Sequence, residues 1–267
     1  MYSFTELLGD WLYYTWTSRR ALVEQNLSCA LNSKTAQVVN IDVTARLLFR
    51  NWAKNLYEVS RMPAVTREYI ETNGTIIGWE YIEASYKRGQ GVILVSAHSG
   101  PYWYTGLIPA YRGIPNTVVV QQSQLVNAMS RYTSRVKLQH RFLGDDGSPR
   151  ELLRQVRQGE TISLMVDRAL GHANVEVELF GRPIHLPLGH VWLALKSGAP
   201  LIVCFARRLD GKRYVVRCRP PMQFEVPTRG KSFQEAMHQG TALVARELEE
   251  EIGPDLSQWL TLMWDKL

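Results

Sequence analysis

One histidine stands out because of the elements that surround it in the sequence. His98 follows an apolar, β-branched run, Val92–Ser96, which predicts a buried strand. Ser99 and Gly100 continue the turn, and Pro101 suits the first position of a helix. In α/β proteins ligands bind at the carboxyl edge of the sheet, where a helix N-terminus also offers free N–H groups to a developing anion. This position favours His98 as a general base near neutral pH.

An acidic partner for this histidine is not adjacent in the sequence. Asp167 follows a second predicted strand, Ile162–Val166, so we expect it at the same edge of the sheet, where its carboxylate could orient His98. Spacing alone leaves two other interpretations open. His98 could be satisfied by a backbone carbonyl, and Asp167 could pair with an arginine or cap a loop. Ser99 lacks the GxSxG setting of a hydrolase nucleophile, so we expect at most a hydrogen-bonding role for it.

Metal sites and covalent catalysis are not expected. His185 and His190 lack the HExxH spacing of a metal site. Cys204 falls within the predicted strand Leu201–Phe205, where it is expected to pack in the core. The chain contains three cysteines, and this odd, widely spaced set argues against a disulfide scaffold or a structural zinc and favours a reducing compartment.

Composition narrows the class of protein. The 267 residues are 45% hydrophobic and 21% charged, which excludes a disordered or collagen-like chain. The net charge of +6 favours anionic partners, but no nucleic-acid-binding motif accompanies it. No apolar run reaches about 18 residues, and the N-terminus does not resemble a signal peptide. We therefore expect a soluble or peripheral protein that forms a single domain over residues 1–267.

Strand and helix patterns alternate through most of the chain, which predicts an α/β fold with a mixed central sheet flanked by helices. The predicted strands are Val92–Ser96, Thr117–Val120, Ile162–Val166, Val175–Phe180, Leu201–Phe205 and Tyr214–Cys218. The predicted helices are Trp79–Arg88, Tyr102–Arg112, Pro149–Gln158 and Leu188–Ser197.

The first 60 residues predict a helical N-terminal layer instead. A second helix is expected over Thr44–Glu58, antiparallel to the first. The apolar stripe of the first helix could pack on the core, or it could lie in a membrane interface, because Trp and Tyr rings near Arg19 and Arg20 suit headgroup depth. The stripe has helical spacing and consists of Phe4, Leu7, Leu8, Trp11 and Leu12.

Several segments occur in the order of a known family. They include Arg19–Leu27, Phe49–Ala53, Arg88–Gly91, Ala97–Gly100, Leu164–Arg168, Val175–Pro183, Pro187–Gly189, Leu193–Pro200 and Gln258–Leu260. Together they resemble the lysophospholipid acyltransferase superfamily, and within it the lauroyl/myristoyl branch that acylates lipid A precursors and mycobacterial phosphatidylinositol mannosides. In this resemblance Gln258–Leu260 is similar to the C-terminal helix of the lipid A branch.

The resemblance implies an acyltransferase. An acyl chain would move from the thioester of acyl carrier protein or coenzyme A to a hydroxyl or amine, with His98 taking the proton and no further cofactor required. The acceptor would be a lipid or small molecule and not a nucleic acid. The protein would be cytoplasmic, with a peripheral contact at the inner membrane. Catalysis would involve His98 and Asp167, and the substrates would contact Ser99, Gly100, Trp103, Arg168, Phe180, Gly181 and Arg182.

One departure from the family pattern affects the mechanism. The family has Asp or Glu five residues after its histidine, and here that residue is Trp103. An indole cannot accept the imidazole N–H as a carboxylate does, but it can wall an apolar pocket. Three explanations are open. Asp167 replaces the missing acid, or the acceptor is an amine that depends less on a base, or the chain is a non-catalytic homologue that binds acyl chains or lipids.

Overall fold

A computed structural model describes residues 3–31, 40–121, 138–142, 149–169, 173–227 and 232–264. Helices and short 3₁₀ segments lie on both faces of a central sheet. The helices within these ranges are α1 Ser3–Thr15, α2 Thr17–Ala30, α3 Ile41–Arg61, α4 Arg67–Asn73, α5 Trp79–Lys87, α6 Trp103–Tyr111, α7 Pro149–Arg157, α8 Gly189–Ser197 and α9 Phe233–Ile252.

The described strands form one large sheet and one hairpin. The large sheet has seven strands in the order β1-β9-β8-β2-β5-β3-β4, and β6 pairs with β7. Among the described pairs of the large sheet, only β8 with β9 is antiparallel. The strands are β1 Gly74–Ile77, β2 Val92–Ser96, β3 Asn116–Val120, β4 Leu138–Phe142, β5 Thr161–Met165, β6 Asn174–Leu179, β7 Arg182–Pro187, β8 Leu201–Arg208 and β9 Tyr214–Cys218.

This architecture confirms the predicted fold class, a mixed sheet flanked by helices. Each of the six predicted strands is present within a few residues of its expected bounds, whereas β1, β4 and β7 were not predicted. The fourth predicted strand, Val175–Phe180, ends one residue earlier, at Leu179, because Phe180 turns the chain into β7.

The central strand β2 shows why the sheet needs helices on both faces. Its side chains alternate between two apolar clusters, with Ile93 and Val95 in one and Val92 and Leu94 in the other. Every residue of β2 is buried. Such continuous apolar strands are typical of parallel sheets covered on both sides, so a polar side chain reaches a cavity only beyond the strand end.

The N-terminal layer has the predicted helices but turns its apolar stripe outward. Helix α1 packs antiparallel on α3, where Asp10 lies between Arg46 and Arg50. The residues of α1 that are buried against the protein are Thr5, Gly9 and Tyr13. The interpretation that the stripe packs on the core is therefore wrong for most of its residues, because the side chains of Phe4, Leu7 and Trp11 are exposed.

The approach of α1 to α3 is close at Gly9. A Cβ atom at this position would lie 2.5 Å from the Cα of Arg50. The helices therefore meet backbone to backbone, and this contact fixes which face of α1 points outward. Among the described residues, no helix is both long and apolar enough to cross a membrane.

Candidate active site

Two neighbouring strands bring His98 and Asp167 together. Strands β2 and β5 pair in parallel with Ser96 opposite Met165, so the residues that follow both strands lie at one edge of the sheet. His98 Nδ1 lies 2.8 Å from Asp167 Oδ1, and the backbone N–H of His98 donates to Oδ2 at 2.9 Å. The sequence prediction that Asp167 lies at the edge beside His98 agrees with this arrangement.

The carboxylate of Asp167 is buried and receives further hydrogen bonds. Trp259 Nε1 donates to Oδ2 at 2.9 Å, and the hydroxyl of Thr261 donates to the same oxygen at 2.6 Å. Burial raises the pKa of Asp167, but the charge of His98 and the hydrogen bonds from His98, Thr261 and Trp259 outweigh it and lower the pKa to about 2. Asp167 is therefore ionised at neutral pH.

An ionised carboxylate fixes the tautomer of the neighbouring ring. Because Asp167 can only accept hydrogen bonds, Nδ1 of His98 carries the hydrogen and Nε2 of the neutral ring keeps its lone pair. The His98 side chain is 22% exposed, whereas that of Asp167 is completely buried. His98 is thus the exposed member of the pair, and the buried carboxylate of Asp167 holds its ring through Nδ1.

The turn that carries His98 is held on two sides. Gly100 has φ 54°, and a Cβ there would lie 2.6 Å from the carbonyl oxygen of Ala206, so this position requires glycine. Its N–H donates to the Gln258 carbonyl at 2.9 Å, and its carbonyl accepts from Asn55 Nδ2 at 2.8 Å. Ser99 is buried and forms an isolated β-bridge with Trp259. Ser99 and Gly100 therefore build the turn and do not line the cavity described below.

The C-terminal segment is irregular where a helix was predicted from the resemblance. After α9 the chain forms two 3₁₀ helices, Gly253–Gln258 and Leu260–Met263, with Trp259 between them. The expectation of a C-terminal α-helix over Gln258–Leu260 is therefore wrong, because these residues lie in and between two 3₁₀ helices. The side chains of Trp259 and Thr261 point to Asp167 because the segment is not a regular helix. Sequence reasoning missed both residues as parts of the site.

A cavity of about 310 Å³ opens beside His98. Its polar lining includes His98, Tyr102 and Arg168. Most of its wall is apolar, from α3, α6 and the strands β3 and β4. The apolar lining includes Trp52, Leu56, Val59, Met62, Trp103, Leu107, Val118, Val119, Val120, Leu138, Leu260 and Trp264. A largely apolar cavity beside a polar pair suits a ligand with an aliphatic part and one reactive group.

The cavity contains some predicted substrate-binding residues and excludes others. Trp103 and Arg168 line it, but Phe180, Gly181 and Arg182 do not. Phe180 and Gly181 form the two-residue turn of the β6–β7 hairpin, with φ values of 52° and 68°, which matches a type I′ turn. The Phe180 ring packs at 5.4 Å from that of Trp259, so this hairpin braces the segment that holds Asp167. Arg182 is exposed at the start of β7.

The described residues contain no group of three or more His, Cys, Asp or Glu side chains that could hold a metal ion. His190 is buried in α8, and desolvation lowers its pKa to about 3. His190 is therefore neutral and belongs to the protein interior. The chemistry available at the sheet edge is that of an imidazole oriented by a buried carboxylate.

Comparison with known proteins identifies a matching family and several similar proteins. Residues 1–264 match the family described as bacterial lipid A biosynthesis acyltransferase, which confirms the resemblance found in the motifs. A phosphatidylinositol mannoside acyltransferase of Mycobacterium tuberculosis is 26% identical, with 75% of this chain and 73% of that protein covered. Another of Mycolicibacterium smegmatis is 25% identical, with 67% and 60% covered.

One solved structure is similar at a lower level. The crystal structure of the 1-acyl-sn-glycerophosphate (LPA) acyltransferase, PlsC, from Thermotoga maritima has 14% sequence identity and a TM-score of 0.43. The match covers 94% of this chain and 97% of that one.

The hydrogen bonds to Asp167 lead to a first prediction. Thr261→Val removes one donor, so we expect the pKa of Asp167 to rise and the free energy of unfolding at neutral pH to fall by about 1.5–3 kcal/mol. Because the pKa of Asp167 is lowered, its stabilisation is present above its ordinary pKa of 3.8 and is lost as the pH falls towards about 2. Urea unfolding at neutral pH and near pH 3 measures both effects.

Thr241→Val is the matched control. Thr241 is equally buried, but its hydroxyl donates to the Met237 carbonyl of its own helix α9. We expect this variant to lose about 1 kcal/mol or less. Equal losses in the two variants at neutral pH would contradict a special contribution of Thr261 to the buried carboxylate.

Proposed function

We propose that this chain, which belongs to the bacterial lipid A biosynthesis acyltransferase family, transfers an acyl group from an acyl carrier protein or coenzyme A thioester to a lipid hydroxyl, with His98 as general base. The chain is an acyltransferase that acts on lipids. The observation that supports the finer mechanism is the 2.8 Å contact between His98 Nδ1 and Asp167 Oδ1 beside an apolar cavity.

The reaction proceeds by direct transfer between the two substrates. Nε2 of His98 takes the proton from the acceptor hydroxyl while its oxygen attacks the thioester carbonyl carbon. The tetrahedral intermediate then collapses, the C–S bond breaks, and the departing thiolate takes the proton from the imidazolium of His98. Asp167 stays ionised throughout, holds the ring by its Nδ1–H, and stabilises the imidazolium that forms.

Asp167 takes the role of the acid that is absent five residues after the histidine. The function of an orienting carboxylate depends on its contact with the ring and not on the element that carries it. Here the carboxylate that contacts the ring follows the end of β5. Trp103, the first residue of α6, occupies the position at which the family has its acid. This supports the first of the three explanations, with a hydroxyl as the acceptor.

The acyl chain of the donor lies in the cavity beside His98. Its apolar wall favours an aliphatic chain, and His98 lines the same cavity. Arg168 follows Asp167 directly and lines the same cavity, so its guanidinium binds a phosphate of the donor or of the acceptor through charge-assisted hydrogen bonds. Arg182 is the other arginine for which the resemblance implies a substrate contact, but it is exposed and does not line this cavity.

The protein meets its lipid substrate at a membrane surface through the outer face of α1. On this face the exposed fractions are 73% for Phe4, 69% for Leu7, and 60% for each of Trp11 and Tyr14. These residues lie opposite Thr5, Gly9 and Tyr13, the buried side of the helix. Large apolar and aromatic side chains along one exposed helix face suit the headgroup region of a bilayer.

The rim of the cavity is apolar as well. Leu56 and Trp264 line the cavity and are also exposed at its opening, at 43% and 38%. After transfer, the acyl chain of the lipid product would therefore find apolar surface at the entrance as it passes to the bilayer. This supports a peripheral contact in which acyl chains pass between the lipid phase and the cavity.

The catalytic pair gives the main test. We expect His98→Ala to lower the rate of acyl transfer by about 10² to 10⁴-fold, the usual contribution of a general base. Asp167→Asn should cost about as much, because the two residues act as one unit. Trp103→Asp should gain little, since the orienting acid is already present. Mass spectrometry of products from mixed acyl thioesters and a panel of acceptors measures each rate.

Three outcomes would contradict parts of this mechanism. More than about a tenth of the wild-type rate in His98→Ala would exclude His98 as the base. If the wild type is active and Asp167→Asn has the same rate of acyl transfer, the acceptor would be an amine that needs only His98. A wild type that binds acyl thioesters without any turnover would be a non-catalytic binding homologue, and Trp103→Asp would then be expected to restore some activity.

Arg168 and Arg182 provide a matched pair for the phosphate contact. We expect Arg168→Gln to raise KM by about tenfold or more with a smaller effect on kcat, because a charge-assisted hydrogen bond to bound substrate is lost. Arg182→Gln should leave both constants unchanged. Steady-state kinetics with the donor and the acceptor varied in turn identifies which substrate carries the phosphate. An unchanged KM for both substrates in Arg168→Gln refutes the assignment.

The exposed face of α1 is tested with vesicles of phosphatidylcholine and phosphatidylglycerol. The double variant Leu7→Glu, Trp11→Glu should lower vesicle binding by more than tenfold. Each substitution removes the free energy gained by burying an apolar side chain in the bilayer, about 1.5–3 kcal/mol. Leu243→Glu is the control, since Leu243 is 47% exposed on α9. Co-sedimentation at equal protein concentration gives the comparison. Binding that falls equally in the control would rule out α1 as the contact surface.

A further inference from the structure

Trp103 lies between two cavities. Its side chain lines the 310 Å³ cavity that contains His98, and it also lines a smaller cavity of about 90 Å³. Of the residues that the structure describes, no other lines both. The side chain is 9% exposed, and its Nε1 has no hydrogen-bond partner among the described residues. The indole is therefore the part of the wall that the two spaces share.

The two cavities differ in chemistry. Charged and phenolic groups line part of the smaller one, whereas the larger one is mostly aliphatic and aromatic around Trp103. The polar residues of the smaller cavity are Tyr57, Glu58, Arg61, Tyr69 and Lys212. Glu58 is ion-paired with Arg208 at 2.6 Å, so this polar lining is itself ordered. Ala64, Val65 and Tyr104 also line the smaller cavity, so an aliphatic chain that reached it would still find apolar surface.

The indole is supported so that it can act as a fixed wall. The rings of Trp103 and Tyr104 lie 3.7 Å apart between centroids, and Tyr104 stacks on Tyr214 of β9 at 3.9 Å with 9° between the ring planes. Trp103 also begins helix α6, whose other residues are buried through Ala110. Contacts with a column of aromatic neighbours in a closely packed helix restrict the rotation of this ring.

We propose that Trp103 is a specificity-determining wall, which closes the acyl cavity on the side of the smaller cavity and sets the longest acyl chain that the enzyme accepts. The proposal rests on the proposed function, because it takes the larger cavity as the acyl site. It also explains what the residue at the position of the family's acid does here. With the orienting carboxylate supplied by Asp167, position 103 bounds the substrate and takes no part in proton transfer.

The wall predicts a steep limit in the choice of donor. In a cavity with a fixed end, each methylene beyond the limit lowers kcat/KM by about tenfold or more. Trp103→Ala removes the indole and joins the two cavities, so longer chains find space without displacing packed side chains. We expect the limit to move to longer chains, and the ratio of kcat/KM for a chain just above the wild-type limit to that for one below it to rise by about tenfold or more.

The experiment measures kcat/KM for saturated straight-chain acyl thioesters of increasing length. Trp103→Phe keeps an aromatic wall without the N–H and should retain the wild-type limit. Leu107→Ala is the matched control, because Leu107 lines the larger cavity from the same helix but not the smaller one. It should shift the limit less than Trp103→Ala does. Trp103→Leu is the second opened variant, for use if Trp103→Ala does not fold, as judged by thermal unfolding.

The results separate this inference from the proposed function. An unchanged limit in the folded opened variants, or an equal shift in Leu107→Ala, overturns the wall. If no variant and no wild type transfers an acyl group, the proposed function has failed. The wall is then tested by displacement of a fluorescent fatty acid with fatty acids of increasing length. The same shift of the length limit in binding supports the wall, and its absence overturns it.

Discussion

A negative charge in the protein interior is the constraint around which the site is arranged. A buried carboxylate costs several kcal/mol unless hydrogen bonds and an opposite charge compensate for it. Asp167 meets this condition with donors from the turn after β2 and from Trp259 and Thr261. The close turn at Gly100 and the contact of Phe180 with Trp259 both hold those donors in place. The orientation of His98 is thus a consequence of how the protein stabilises one buried charge.

The location of that charge separates two tasks that one helix would otherwise share. When the orienting acid lies one turn after the histidine, the same helix must supply the carboxylate and also form part of the wall around the ligand. Here β5 supplies the carboxylate, and the start of α6 is free to carry a large apolar side chain, Trp103. The shape of the cavity can then change at position 103 without moving His98, and the orientation of His98 depends on residues that do not line the cavity.

The sequence predicts the proximity of His98 and Asp167 well and the residues that support them poorly, for physical reasons. His98 and Asp167 each follow a buried strand, and parallel strands bring their carboxyl ends together, so their proximity follows from local patterns. Thr261 lies 94 residues from Asp167 in a 3₁₀ segment that has no amphipathic period to signal its position. The stripe on α1 predicts a helix, but periodicity does not say whether a neighbour covers the stripe. That depended on the close approach at Gly9.

The missed strands have similar explanations. Strand β1 is only four residues long and lies at an edge of the sheet, and β7 contains Arg182, Pro183, His185 and Pro187, which are unusual in strands. Strand β4 is at the other edge and carries Gln139 and His140. Edge strands need fewer apolar residues than the centre of a sheet, so the apolar pattern that revealed β2 and β5 is weak there.

The contacts of Asp167 also set an order in which the protein can become complete. During synthesis His98 and Asp167 leave the ribosome well before Trp259, which is separated from Asp167 by 92 residues. Until the last segment docks, the carboxylate lacks two of its donors and either stays hydrated or takes up a proton. The last residues of the described chain therefore complete the hydrogen bonds that allow this edge of the sheet to bury its charge.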